Sequence, residues 1–287
     1  GRGEIPMILD YIIALVMGAI EGITEWLPIS STGHLILAER FFPLNQPDAF
    51  VEMFRVVIQL GAIFAVGVLF FPKLWPIGRR VTRDGPHLMF KQDTLRLWAK
   101  ILVGTLPALV LGLLLDDWLD AHLYNYVVVA AMLIVYGVLF LLVERYPRPV
   151  RVEALAQLTY RHALVIGFWQ VLAMIPGTSR SGATIVGGML LGASRAVAAE
   201  YTFFLAIPVM AGASLLKVIK FAVSGVSITG TEVAVLLVGC IVAFVVSLAA
   251  IRFLMDYVKR HDFKFFGIYR IVLGAIVLAV AAITALA

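Results

Sequence analysis

The sequence predicts an all-α polytopic membrane protein built as two inverted-topology repeats, each a re-entrant helix hairpin plus three transmembrane helices. Three observations carry that prediction. Apolar residues make up 62% of the 287 and charged residues 14%, whereas soluble domains hold roughly 45–50% and 25%. The apolar residues collect in long blocks separated by short polar loops. Two of the blocks are short, and each breaks off in a run of Pro, Gly, Ser and charge.

Six runs approach or exceed the roughly 20 helical residues that cross a bilayer: about 54–71, 97–115, 126–143, 198–217, 233–255 and 267–286. Residues 8–20 and 163–175 are too short, and they run into EGITEWLPISSTGH and PGTSRSGAT. Broken backbone at membrane depth is tolerated only inside protein or beside a water-filled cavity, so both read as re-entrant hairpins. Gly1 to Pro6 reads as an expression scar before Met7. A single membrane domain is expected over 7–287, with repeat one at about 8–145 and repeat two at about 160–287. No cleavable signal peptide is evident.

Charge sets the expected orientation. The loops at 72–96 and 144–162 and the segment at 252–266 are rich in Lys and Arg. Residues 116–125 carry Asp116, Asp117 and Asp120 with no Lys or Arg. The positive-inside rule then puts the basic loops in the cytoplasm and both termini outside. The net charge of +5 belongs to these loops and does not call for nucleic acid. Trp75, Trp98 and Trp118 sit at span ends and read as interface anchors. Cys240, the only cysteine, reads as a small packing residue. The five histidines have no zinc-ligand spacing.

The halves share an order of events. Pro28, Ser30, Ser31 and Gly33 answer to Pro176, Ser179, Ser181 and Gly182, and a span ending in lysine follows each set, at 54–73 and 201–220. Three spans per repeat is odd, so the second copy inserts upside down and the hairpin tips meet near the midplane.

The tips carry the candidate chemistry. Glu21 and Glu25 lie at i and i+4, on one helix face. Two carboxylates in an apolar segment are costly and thus functional candidates, able to share a divalent metal or to divide into metal ligand and acid/base. Ser30, Ser31, Thr32, Gly33 and His34 follow. A hydroxyl beside an imidazole is a nucleophile–base pair if the two hydrogen-bond, while the same hydroxyls can simply cap a helix. On the second hairpin, Gly177, Thr178, Ser179, Ser181, Gly182 and Thr184 form a turn opening a helix, an arrangement that presents N–H groups to an anion. Arg180 adds a fork suited to phosphate oxygens. Gln170, leading into this turn, is a substrate or packing candidate. Carboxylates, hydroxyls and imidazole facing an anion cradle suit metal-assisted phosphoryl transfer, and the membrane location points to a lipid-tethered phosphate.

EGITEWLPISSTGH at 21–34 and PGTSRSGAT at 176–184 closely resemble the two signature motifs of the bacterial undecaprenyl-pyrophosphate phosphatase family, also called the bacitracin-resistance protein family. The resemblance spans nearly the whole chain. It implies hydrolysis of undecaprenyl pyrophosphate in the bilayer to the monophosphate carrier for peptidoglycan and other cell-wall polymers, a divalent cation (Mg2+ or Ca2+), and a site opening to the outer face of the cytoplasmic membrane. It carries the motif roles to Glu21, Glu25, Ser30, Ser31, His34, Ser179, Arg180, Ser181 and Thr184. The working mechanism has Glu21 and Glu25 holding the metal, Ser31 attacking with His34 assisting, and Arg180 with the 177–182 turn binding pyrophosphate. Water or His34 as nucleophile fits as well. A polyprenyl-phosphate flippase is the rival reading, and the oligomeric state, monomer or homodimer, stays open.

Overall fold

In a computed structural model, residues 4–82 and 85–286 are described. The first hairpin is α1 (Glu4–Thr24) and α2 (Ser31–Phe41); α3 (Asp48–Val57) and α4 (Gln59–Leu69) follow, then a single turn α5 (Phe71–Leu74). A β-hairpin, β1 (Ile77–Thr82) with β2 (Gly85–Phe90), leads to the long helices α6 (Gln92–Leu123) and α7 (Tyr126–Arg145). The second half runs through a second hairpin, α8 (Tyr160–Leu172) and α9 (Arg180–Leu190), then α10 (Arg195–Val223), α11 (Gly230–Tyr257) and α12 (Lys264–Leu286).

Among the described residues, seven helical stretches are long and apolar enough to cross a membrane. Six fall where the apolar runs place them. The seventh is Met7–Thr24, the first arm of the first hairpin. Its helix does not stop at the apolar run but continues through Glu21 to Thr24, because Glu, Gly and Ile extend a helix without a breaker until Pro28. It also begins at Glu4, inside the segment set aside as a scar.

Two loops differ from expectation. Residues 116–125 are not a loop: α6 continues to Leu123, and Tyr124 and Asn125 alone turn the chain, with the Asn125 side chain capping α7 by accepting from Val128 N at 3.0 Å. Asp116, Asp117 and Asp120 therefore project from the last turns of α6, where Lys217 and Lys220 of α10 pair with them at 2.5–3.6 Å. The basic loop at 72–96 holds the β-hairpin, the one strand pair among the described residues. Gly85, paired with Thr82 where β2 begins, has φ +113°. Trp98, near the start of α6, donates its indole N–H to Leu74 O at 2.8 Å.

The most extensive contacts pair α7 with α12, α1 with α11, and α8 with α6. Small residues let the backbones close in, as membrane helix packing requires. A Cβ on Gly18 would come within 2.5 Å of Gly239 O, and one on Gly167 within 2.5 Å of Gly104 O. Gly137 and Gly267 meet each other's carbonyls at 2.7 and 2.8 Å on the same test. Gly167→Leu should therefore push α8 off α6 at a cost of about 1–3 kcal/mol. Gly67→Ala, with nothing within 4 Å, should be neutral or slightly stabilising. Thermal unfolding of the two variants in detergent checks the contrast; equal melting temperatures would refute the close-packing argument.

Beneath the hairpins, α10 supplies the floor. Tyr201, Phe203 and Phe204 are buried, and Phe203 meets the fully buried Trp26 ring edge-on at 5.4 Å.

Candidate functional site

The last turn of α1 carries Glu21, and Glu25 follows directly past its end, its N–H still bonded to Glu21 O at 3.0 Å; their relative exposures are 0% and 6%. Four residues apart, they share the face turned into the protein. The chain then turns through Trp26 and Pro28 to Ser30, the N-cap of α2, whose Oγ accepts from Gly33 N at 3.1 Å. Ser30 sits at φ 74°, a left-handed conformation that costs a non-glycine residue about 1–3 kcal/mol. That strain re-aims the next side chain: Ser31 Oγ donates to Glu25 Oε2 at 3.2 Å. Thr32 is half-buried on the following turn.

The second tip repeats the device. Gly177 has φ +92° and Ser179 φ 73°; they and Ser30 belong to a short list of positive-φ residues, in which Ser30 and Ser179 are the two non-glycines among the described residues. Ser179 Oγ caps α9 by accepting from Gly182 N at 3.1 Å. The residue after this cap is Arg180, as Ser31 follows Ser30, and it points across to the first hairpin. Its Nε donates to Glu25 Oε1 at 3.0 Å and its Nη1 to Thr202 O at 2.9 Å. Its guanidinium lies over Trp26, 5.8 Å from the ring centre. Its Nη2 is buried with no hydrogen-bond partner among the described residues.

The structure thus brings Glu25, Ser31 and Arg180 into direct contact across 155 residues of chain. Glu21 lies one turn behind, with Glu25 and Arg180 as the charged side chains acting on it. Both Glu21 oxygens are buried without a hydrogen-bond partner among the described residues. A fully buried carboxylate without partners is costly, so this site calls for a cation or a proton. Glu21 and Glu25 carry hard oxygen donors of the kind that Mg2+ and Ca2+ prefer, and among the described residues no third His, Cys, Asp or Glu joins them in a ligand cluster.

His34 is arranged differently from expectation. Its Nδ1 contacts Ser30 O at 2.7 Å and its Nε2 contacts the Tyr269 hydroxyl at 2.6 Å, the two rings stacking at 5.6 Å. Both ring nitrogens are thereby engaged, and the partner of Ser31 is the Glu25 carboxylate in place of the imidazole. Ser181 and Thr184 face inward too. Ser181 Oγ meets Ser179 Oγ at 3.1 Å and donates to Leu27 O at 3.4 Å, linking the hairpins. Thr184 Oγ1 bonds Arg180 O at 3.0 Å and Thr202 Oγ1 at 2.7 Å, which fixes the strand of contacts that holds Arg180. Gln170 is buried, its amide donating to Gly104 O at 3.4 Å; among the described residues its Oε1 and the buried Thr178 hydroxyl lack a partner. Gly182 packs within 3.3 Å of Arg270 Nη1 on the same Cβ test.

Sequence reasoning missed Arg270, Thr202 and Tyr269. Arg270 on α12 is fully buried. Its guanidinium donates to Pro28 O at 3.1 Å on one tip and to Gly177 O at 2.9 Å and Thr178 O at 2.8 Å on the other. It also reaches Leu133 O and Met132 O of α7 at 3.3 Å. A lone arginine inside an apolar run was the available signal, since a charge at membrane depth is a functional candidate by default. Its tips lie more than 90 residues away in sequence, so no local pattern announced the partners.

The sequence profile described as "Bacitracin resistance protein BacA" matches residues 14–276. Curated relatives are similar over nearly their whole length. The undecaprenyl-diphosphatase of Lactococcus lactis subsp. lactis (strain IL1403) is 57% identical over 277 residues, covering 95% of this chain and 98% of that one. That of Streptococcus mutans serotype c is 56% identical over 275 residues, covering 95% and 96%. That of Desulfitobacterium hafniense is 57% identical over 269 residues, covering 92% and 94%. With its two hairpin motifs meeting in one buried site, this chain belongs to the BacA bacitracin resistance family.

Proposed function

We propose that the chain is an undecaprenyl-pyrophosphate phosphatase of the bacterial cytoplasmic membrane. It hydrolyses undecaprenyl pyrophosphate to undecaprenyl phosphate and phosphate, recycles the carrier for peptidoglycan synthesis, and so confers bacitracin resistance. The contact of Arg180 with Glu25 at 3.0 Å, joining the two motifs beside Ser31, is the observation that carries the reading. Relatives at more than half identity bear that activity as their name.

Each residue then has a step. The free Nη2 of Arg180 and the N-terminal turns of α2 and α9 receive the pyrophosphate oxygens, as helix N-termini and guanidinium forks do. Ser31 Oγ attacks the terminal phosphorus, and its proton passes to Glu25 Oε2, already its hydrogen-bond acceptor. The bond from phosphorus to the bridging oxygen breaks, and undecaprenyl phosphate leaves. Water then attacks the phosphoserine, releases phosphate and restores the hydroxyl. His34, held by Tyr269, orients the α2 turn beside Ser31. Glu21 and Glu25 would hold Mg2+ or Ca2+, which when bound neutralises charge on the phosphate oxygens.

The finer architecture belongs to the same proposal: six full spans, two re-entrant hairpins of opposite entry, and termini and site opening on the outer side. Its support is internal correspondence. Gly18 and Gly167, Glu21 and Gln170, Ser30 and Ser179, and Gly33 and Gly182 share one constant offset. The contacts exchange in the same way, α1 with α11 answering α8 with α6, and α2 with α12 answering α9 with α7. Such inverted repeats suit transporters as well, which keeps lipid flipping as the competing activity.

The test is phosphate release from undecaprenyl pyrophosphate by purified protein in detergent, with and without Mg2+ or Ca2+. Wild type should release phosphate only with metal, and Glu21→Ala should not. With substrate labelled in its terminal phosphate, rapid acid quench should trap label on wild type and none on Ser31→Ala. Turnover without trapped label would replace serine attack by water attack. No release from folded wild type under any metal would move the assignment to lipid flipping.

A further inference from the structure

The β-hairpin is the part of the molecule that neither the site nor the span packing uses. Its strands are six residues each, about 20 Å long, and a lone two-stranded hairpin is marginal in water. The pairing register sets Ile77 opposite Phe90 and Arg79 opposite Leu88. Residues directly opposite in an antiparallel pair project to one face, so Ile77, Phe90, Leu88 and Arg79 share a face. Gly78, Met89 and His87 share the other.

The first face is uncovered. Leu88 is 74% exposed, Phe90 60% and Ile77 36%, and at the root Trp75 is 46% exposed. Between residues 72 and 91 stand five basic residues, Lys73, Arg79, Arg80, Arg83 and Lys91, against one acid, Asp84; Lys73 pairs with Glu200 of α10, which leaves four for an outside partner. The hairpin is also tied at the membrane edge. Lys91 N donates to Pro76 O at 2.7 Å and Lys91 Nζ to Pro72 O at 3.1 Å, holding its root between the end of α4–α5 and the start of α6.

We propose that this hairpin is a lipid-docking element that lays its Ile77–Leu88–Phe90 face into the leaflet where α4 and α6 end and recognises anionic headgroups there. The root of the hairpin joins the end of α5 to the start of α6, so headgroups at that edge are what the face meets. Water is a poor cover for three large apolar side chains on one face. Arginine and lysine reach headgroup phosphates while their stems stay apolar, and each basic residue near an anionic surface strengthens such docking by about fivefold. The positive-inside orientation makes this the cytoplasmic leaflet, whose anionic lipids supply the complementary charge.

The full chain, with Cys240→Ala, is reconstituted in nanodiscs of phosphatidylcholine alone or with about one third phosphatidylglycerol. A nitroxide is placed at Leu88→Cys or His87→Cys. In anionic discs the label at 88 should be severalfold more accessible to oxygen than to a water-soluble nickel complex, and the label at 87 the reverse. Arg79→Gln with Lys91→Gln, or high salt, should bring the label at 88 toward water while phosphate release in detergent stays unchanged. Water accessibility at 88 equal to that at 87 in both discs would overturn the proposal. So would equal burial in both lipids, which needs no anionic recognition, and so would dipolar broadening between two labels at 88, which assigns the face to a second copy.

Discussion

Arg180→Lys should lower kcat/KM for phosphate release by roughly 10³-fold while leaving the protein folded. Lysine keeps the charge and can still pair with Glu25. It loses the planar fork that simultaneously serves Glu25 Oε1, Thr202 O and, through the free Nη2, an incoming phosphate oxygen. Arginine and lysine are not interchangeable at a site of this geometry. Arg180→Ala should also lose stability, because Glu25 is left buried without its cation, and breaking a buried pair costs about 3–5 kcal/mol. Comparing the two variants separates chemistry from folding: turnover, metal dependence and melting temperature are measured on each. A lysine variant within about tenfold of wild type would remove Arg180 from phosphate binding and leave it a structural link between the hairpins.

Arg270→Met should have the second large effect, on both stability and turnover. The guanidinium bonds carbonyls of Pro28, Gly177 and Thr178 at the two tips. Each carbonyl stranded in a buried place costs about 1–3 kcal/mol, partly offset because methionine no longer buries a charge. The tips should separate, and with them Glu25 from Arg180. The expected result is a lower melting temperature and turnover reduced by about 10²-fold well below that temperature, as small displacements at a site cost. Spin labels on the two hairpins should report a longer or broader distance. Arg270→Lys, with three donors in place of five, should fall between. Full turnover in Arg270→Met at low temperature would show that the tips hold together without it.

Much of this was present in the residues themselves. Apolar blocks long enough to cross a bilayer are legible because no other environment tolerates them, and all six runs are helices in the structure. The breaks at the two motifs were legible because Pro and Gly interrupt a helix, and the helices do break there, between α1 and α2 and between α8 and α9. Glu21, Glu25, Ser31 and Arg180 stood out as polar groups beside apolar runs, and three of them meet. Local signals that compete with stronger ones were read less well. The pairing of β1 with β2 was hidden in a basic loop, and the α6 helix ran on through three aspartates because Lys217 and Lys220 neutralise them from another helix.

What only the tertiary structure decided is which polar groups face each other. Composition and motif placed a serine near a histidine, but three-dimensional packing gave Ser31 to Glu25 and His34 to Ser30 and Tyr269. The left-handed caps at Ser30 and Ser179 aim the following side chains across the gap, a conformation that ordinary serine sequences do not announce. Arg270 shows the limit most clearly. A buried guanidinium must satisfy its donors, and here it does so on two turns far away in the chain. The sequence by itself determines that a charge is buried; only the fold determines whose carbonyls answer it.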